Sequence, residues 1–230
     1  MHQAWTVNVL AGGRLVLGIG PTAELEYETL GSSYDESVRH IRDYLSTVEE
    51  SEKSDDAELE DDENADAGIE LDFPEPQPYK VIVSALTPEM RKAAGHVANG
   101  VVTWMVSQET IHDHTVPETM KAAEDAGRDA PRIAVGLPVC VHDDKEQAVA
   151  RANEVYGIYG ELPTYRRHLD AQGIGNPGDI AVVGNESEVA AQLETFFDAG
   201  ATEVVASIYS AGNDGRGSFA RSTECLRRLL

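Results

Sequence analysis

From Lys80 onward, apolar and polar residues follow one another in blocks of regular length. Val81, Ile82, Val83 and Ala85 make a short run suited to a buried strand, Pro88 to Ala98 has helical character, and Val101 to Trp104 is a second apolar run. Thr115 to Ala126 reads as a helix, Arg132 to Val141 as a long strand, and Asp144 to Tyr159 and Thr164 to Gln172 as helices. The last unit has the clearest punctuation. Asn185 and Glu188 form a capping-box pattern ahead of Val189, Leu193, Phe196 and Phe197, and Gly200 supplies a stop. Val204 to Ser207 is the strand that follows, and Phe219 to Leu230 closes the chain as a helix. Upstream, Leu15 to Ile19 is a strand-like run bounded by Gly12, Gly13 and Gly20. In Tyr34 to Val48, the residues Val38, Ile41, Leu45 and Val48 recur at helical spacing.

Strands alternating with helices predict an α/β fold with a parallel sheet and helices packed outside it. Either an open doubly wound sheet or consecutive strands of a closed barrel satisfies that pattern. The doubly wound dinucleotide fold needs a third glycine, and Gly18-Ile19-Gly20 runs into Pro21 and Thr22 without one.

Charge changes the picture for one segment. Between Glu49 and Asp72 stand 13 acidic residues against a single lysine, Lys53, and three prolines follow between Phe73 and Pro78. Residues 49–78 are therefore expected to be a flexible acidic insertion within a single domain spanning 1–230. The chain as a whole carries a net charge of −23, so clustered Lys and Arg for nucleic acid are not to be expected. The surplus outside the insertion suits a salt-rich, halophilic cytoplasm, where screening tolerates an acidic surface. No apolar run is long enough to span a membrane, and the N-terminus has no signal-like pattern, so a cytoplasmic protein is expected. Cys140 and Cys225 lack metal or disulfide spacing and read as buried thiols. His112, Asp113 and His114 do not share a helical face, so no metal site is expected.

In a parallel α/β sheet, ligands gather beyond the C-terminal ends of the strands. Ser84-Ala85-Leu86-Thr87-Pro88-Glu89-Met90 is the best candidate, with Thr87 as a helix cap and Pro88 in the first turn. Such a turn aims backbone N–H groups and the positive helix end at whatever lies above the strand; an ordinary capped helix explains the same residues. Trp104, with Thr103 and Met105 beside it, ends the next strand and could wall a flat ring or belong to the core.

Six stretches together resemble one family. Gly12-Gly13-Arg14-Leu15-Val16-Leu17-Gly18-Ile19-Gly20 resembles the glycine-rich strand of luciferase-like monooxygenases, and Tyr34 to His40 resembles the helix after it in the coenzyme F420-dependent branch. Lys80 to Met90 and Ala94 to Trp104 resemble two further strand units, the second with Asn99 where Asp is usual. Ile158 to Tyr165 resembles a segment of the same branch, and Val183 to Glu186 the start of the last barrel helix. The resemblance implies a partial (β/α)8 TIM barrel, roughly its last five strands, since Met1 to Leu10 resembles the tail of the third helix. It further implies a coenzyme F420-dependent oxidoreductase, with hydride transfer between the deazaflavin and a small organic substrate, or alternatively an FMN-dependent monooxygenase. Gly18, Ile19, Gly20 and Ser84, Ala85, Leu86, Thr87, Pro88, Glu89 and Met90 would be cofactor contacts, with Thr103 and Trp104 on the substrate side. Leu86 and Thr87 stand where many relatives have glycine. No catalytic acid or base can be named, because the family places those on earlier strands. A catalytically silent remnant, either a flavin-binding or a structural protein, is the other class of function, and open sheet edges make a homodimer the expected assembly.

Overall fold

The computed structural model describes residues 2–20, 39–41, 43–44 and 79–229. Helix α1 (His2–Leu10) leads to strand β1 (Val16–Ile19); then follow β2 (Lys80–Ser84), helix α2 (Pro88–Val97) and β3 (Gly100–Trp104). A helical stretch over 108–125 ends in α3 (Val116–Asp125) and leads to β4 (Arg132–Val141). Helices α4 (Lys145–Tyr156) and α5 (Pro163–Ala171) precede the short strand β5 (Val182–Gly184), and α6 (Glu186–Asp198), β6 (Glu203–Ile208) and α7 (Gly215–Arg227) complete the chain. The acidic segment and most of the expected helix from Tyr34 to Val48 lie outside the described residues; within the latter, 39–41 and 43–44 are helical and Ile41 packs into the core.

All pairings are parallel, and the order β1-β2-β3-β4-β6 follows the chain. A doubly wound sheet reverses its order at a switch point, so this order selects the other expectation: five consecutive staves of a curled half-barrel. The sixth strand, β5, was not expected, and it extends the sheet beyond the end of β3. Odd residues of β4 bond towards β6, as Thr202 N–H does to the Ile133 carbonyl, while even residues bond towards β3, as Met105 N–H does to Gly136. His142 N–H donates to Gly184, so β5 shares the β3 edge. Pro138 falls in the gap between the two partners on that edge, where its missing N–H costs the ladder nothing.

Local chemistry explains the element ends. Thr87 caps α2, Asp144 caps α4, and Asn185 with Glu188 closes both bonds of a capping box on α6. Asn99 ties three strands together at their N-terminal ends: its Oδ1 and N–H both engage Val81, and its carbonyl accepts from Arg132 N–H. An amide oxygen fills the acceptor role there as well as a carboxylate would. The helix expected from Thr115 begins earlier, through a π turn at Ile111–Thr115. Pro117 has no N–H for an ordinary helical bond, and the Val116 N–H reaches back to Ile111 instead.

Register divides the strand residues into two rows. Leu17, Val81, Val83, Val101, Ile133, Val135, Leu137, Val139 and Val204 face the helices and form the main core with Met90, Val189, Leu193 and Phe196. Gly18, Ile82, Ser84, Val102, Trp104, Gly136, Cys140, Val205 and Ser207 face the concave side. A second, smaller core covers the upper end of that side, where Met105, Cys140, Ala148, Ala152, Tyr156, Leu169 and Tyr209 pack together. The segment from α4 to β5 is thus a cap seated over the C-terminal ends of the central strands.

Candidate active-site rim

The ends of β1 and β2 meet closely. A Cβ built on Gly20 would lie 3.0 Å from the Ser84 Cβ, so glycine is what lets the two strand ends approach. Beyond Ser84 the chain turns into α2. The Thr87 hydroxyl accepts from Met90 N–H at 3.4 Å, Pro88 and Glu89 are exposed at the helix head, and Pro88 needs no acceptor. Arg91, buried on this helix, locks the turn from behind: Nη1 donates to the Leu86 carbonyl at 2.8 Å, while Nε and Nη2 grip Glu118 of α3. Its charge is therefore already paired, and the positive helix end remains the attractive feature for an anionic group.

The end of β3 is held under strain. Met105, fully buried, has φ of 57°, and a non-glycine residue takes up the left-handed region only when its surroundings impose it. Gln172 does so from across the cap. Its Oε1 accepts from Ser107 N–H at 2.6 Å and its Nε2 donates to the carbonyls of Met105 and His168. Next to the strained residue, the Trp104 ring lies over Gly136, where any Cβ would overlap it at 2.8 Å. Tyr156 and Tyr159 flank that ring, each with its centroid 5.8 Å away, and Tyr165 packs on Tyr159 at 4.8 Å. The Trp104 indole N–H is enclosed and has no hydrogen-bond partner among the described residues.

These positions sort the residues singled out from the sequence. Gly18, Gly20, Ser84 and Trp104 share the concave row, and Leu86 and Thr87 sit half-buried in the turn above it. Ile19, Ala85 and Met90 pack into the helix-facing core, so any part they take in ligand contact is through the backbone. Thr103 is on the helix-facing row with Val101 and is fully buried, which turns its side chain away from the concave side. His112 and His114 are exposed, paired with Asp113 and Glu118. Cys140 and Cys225 are buried free thiols. Gly136, Arg91, Gln172 and His168 were not singled out. A glycine interrupting the apolar run of β4 was the one available signal, since glycine inside a strand marks close approach; the other three act through partners distant in sequence.

A groove of about 680 Å³ opens beside the ends of β4 and β5, lined by Asp143, Lys145, Asn185 and Glu188. Its polar groups already answer one another: Lys145 pairs with Glu188 at 2.7 Å, and Glu188 completes the capping box with Asn185. Nearby, the Arg221 guanidinium bridges Glu186 and Asp143 and holds the Glu186 carboxyl down at about 2. No helix among the described residues is long and apolar enough to cross a membrane.

The profile of the luciferase-like monooxygenase family matches residues 2–203. The chain belongs to this family. Among curated proteins it is similar to the 5,10-methylenetetrahydromethanopterin reductase of Methanolobus tindarius, with 23% identity over 64% of this chain and 44% of that protein. The same-named enzyme of Archaeoglobus fulgidus is 24% identical over 69% of this chain and 48% of its own length. The chain spans about half the length of these relatives. Among solved structures, an F420-dependent secondary alcohol dehydrogenase in complex with an F420-acetone adduct superposes with a TM-score of 0.69 at 16% identity, over 99% of this chain and 73% of that one. The EDTA monooxygenase from Chelativorans sp. BNC1 gives 0.66 at 14% identity, over 98% and 69%. At such identities these likenesses establish the shared fold, and the half-barrel is that family's barrel in part.

Proposed function

We propose that the chain is the (deaza)flavin-binding portion of an oxidoreductase that moves hydride between coenzyme F420 and a small organic substrate. The observation that carries this is the convergence of Gly20 with Ser84 beneath the capped, positively poised head of α2, at the C-terminal rim of a family barrel. A flat ring would lie along the concave row, with its phosphate-bearing tail towards Thr87 and the backbone N–H of Glu89. Leu86 and Thr87, where glycine would leave the backbone bare, would limit how closely the tail approaches it. The cofactor, when bound, supplies the hydride chemistry, and the chain's own part is to bind it, orient it and exclude water. Trp104 and Tyr159 would wall the substrate side. The names of both curated relatives favour a reductase, and the name of the structurally similar alcohol dehydrogenase favours F420.

An FMN-dependent monooxygenase is the second reading, and a monooxygenase stands among the structural neighbours. Parallel fluorescence titrations with F420 and with FMN separate the two. Binding of F420 with FMN excluded supports the first reading, the reverse supports the second, and no binding of either removes both in favour of a silent remnant. A homodimer that covers the sheet edges, and life in a salt-rich cytoplasm, go with this proposal. Sedimentation velocity tests the first, and a melting temperature rising with KCl tests the second.

A further inference from the structure

Helix α5 carries a histidine to the same rim. Tyr165, His168 and Gln172 are three and four residues apart and so share one helical face. Tyr165 packs on Tyr159, which packs in turn on Trp104; Gln172 grips Met105 and Ser107. His168 lies between them, and its carbonyl shares the Gln172 amide with that of Met105. Its ring also feels the charge of Arg91, the residue bonded to the Leu86 carbonyl. The face of α5 that carries the imidazole therefore meets the end of β3, where the concave row reaches the rim.

Two ring nitrogens there are enclosed without a hydrogen-bond partner among the described residues, His168 Nε2 and Trp104 Nε1. Buried polar atoms are nearly always bonded, and an exception marks a place where something else completes the bond. Burial, and then the Arg91 charge, hold the His168 imidazole down at about 4, so it is neutral at ordinary pH. A neutral imidazole can donate or accept, which suits a ring edge that carries both carbonyl and N–H groups.

We propose that His168 is a ligand-contacting residue of the rim, its Nε2 hydrogen-bonding the polar edge of a flat heterocycle seated between the turn 84–90 and the Trp104–Tyr159 pair. This rests on the (deaza)flavin reading. The charge that acts on the imidazole is that of Arg91 on α2, whose partner is Glu118 on α3; the neighbouring Arg166 of α5 is turned to the Ile174 and Gly175 carbonyls. Arg91 with Glu118 and Arg166 with Asp170 form ion pairs.

The test uses the full chain as wild type, His168→Gln and His168→Ala, each titrated with F420 and with FMN from about pH 5 to about pH 8. The expected result is a dissociation constant raised roughly tenfold in His168→Ala, with recovery in His168→Gln, which retains a hydrogen-bonding edge. The absorbance band of the bound ring should shift in His168→Ala, a change that a purely structural histidine would not produce. Equal affinity and an unshifted band in all three proteins overturn the inference and leave the cofactor reading intact. Failure of the wild type to bind either compound overturns both. Should the variants not fold, the imidazole ¹⁵N resonances of wild-type His168 decide: movement on adding the cofactor supports contact, and unmoved resonances overturn it.

Discussion

The two faces of the sheet differ in kind. The helix-facing row is a nearly unbroken set of Val, Ile and Leu side chains, most of them fully buried. The concave row mixes Gly18, Gly20, Ser84, Trp104, Gly136 and Ser207, and Val205 there is 51% exposed. Burial of apolar area stabilises by roughly 25 cal/mol per Å², so the convex side supplies most of the folding energy. The concave side supplies room: glycines where chains or rings must approach and, at its rim, a strained Met105 and a Trp104 indole N–H without a partner among the described residues. Stability and ligand chemistry are thus separated across the thickness of one sheet, and substitutions on the two sides should have different consequences.

The largest effect is expected at Leu137, fully buried at the centre of the helix-facing row. Leu137→Ala should lower the unfolding free energy by about 3 kcal/mol in urea titration. A loss no greater than that seen on the concave side would erase the distinction between the faces. Next comes His168. Its folded-state value near 4 lies below the ordinary 6.5, so the unfolded chain takes up the proton first. Its contribution to stability is complete above pH 6.5 and is lost as pH falls from there towards 4, by on the order of 2 kcal/mol. Urea midpoints of the wild type should therefore fall more steeply with acidification than those of His168→Gln; parallel curves would show that the imidazole titrates normally.

Gly20→Val sharpens the contrast from the other direction. Its side chain would press on Ser84, so cofactor affinity should drop at least roughly tenfold while stability changes by less than about 1 kcal/mol. If cofactor binding were untouched, the ends of β1 and β2 would not form the cradle. The smallest effect belongs to Val205→Ser, which should stay within about 0.5 kcal/mol. A marked destabilisation instead would mean that the concave face is covered in solution, as in a dimer.

Much of the rim could be read in advance because its signals are local. Thr87 and Pro88 announce a helix head, and Trp104 ends an apolar run; both features stand in the structure where the spacing puts them. The contribution of the cap could not be read. Gln172 reaches Met105 and Ser107 across more than sixty residues of chain, and the charge of Arg91 on α2 acts on His168 of α5. Nothing in the local pattern of α5 distinguishes a rim-facing histidine from a solvated one. The short strand β5 was missed for a related reason, since three residues give too little alternation to recognise and their pairing depends on the partner edge left free beyond β3.

The amino-acid sequence by itself determined the elements, their caps and the alternation of strand and helix, because those follow from periodicity and from hydrogen bonds that close within a few residues. It also determined family membership, which six short motifs in order carry. Tertiary structure alone decided that the strands pair in chain order, that Trp104 and not Thr103 faces the concave side, and that a largely buried histidine comes under the charge of a paired arginine. Strand order, the choice of face and desolvation depend on contacts between residues far apart in the chain, where no local pattern records them.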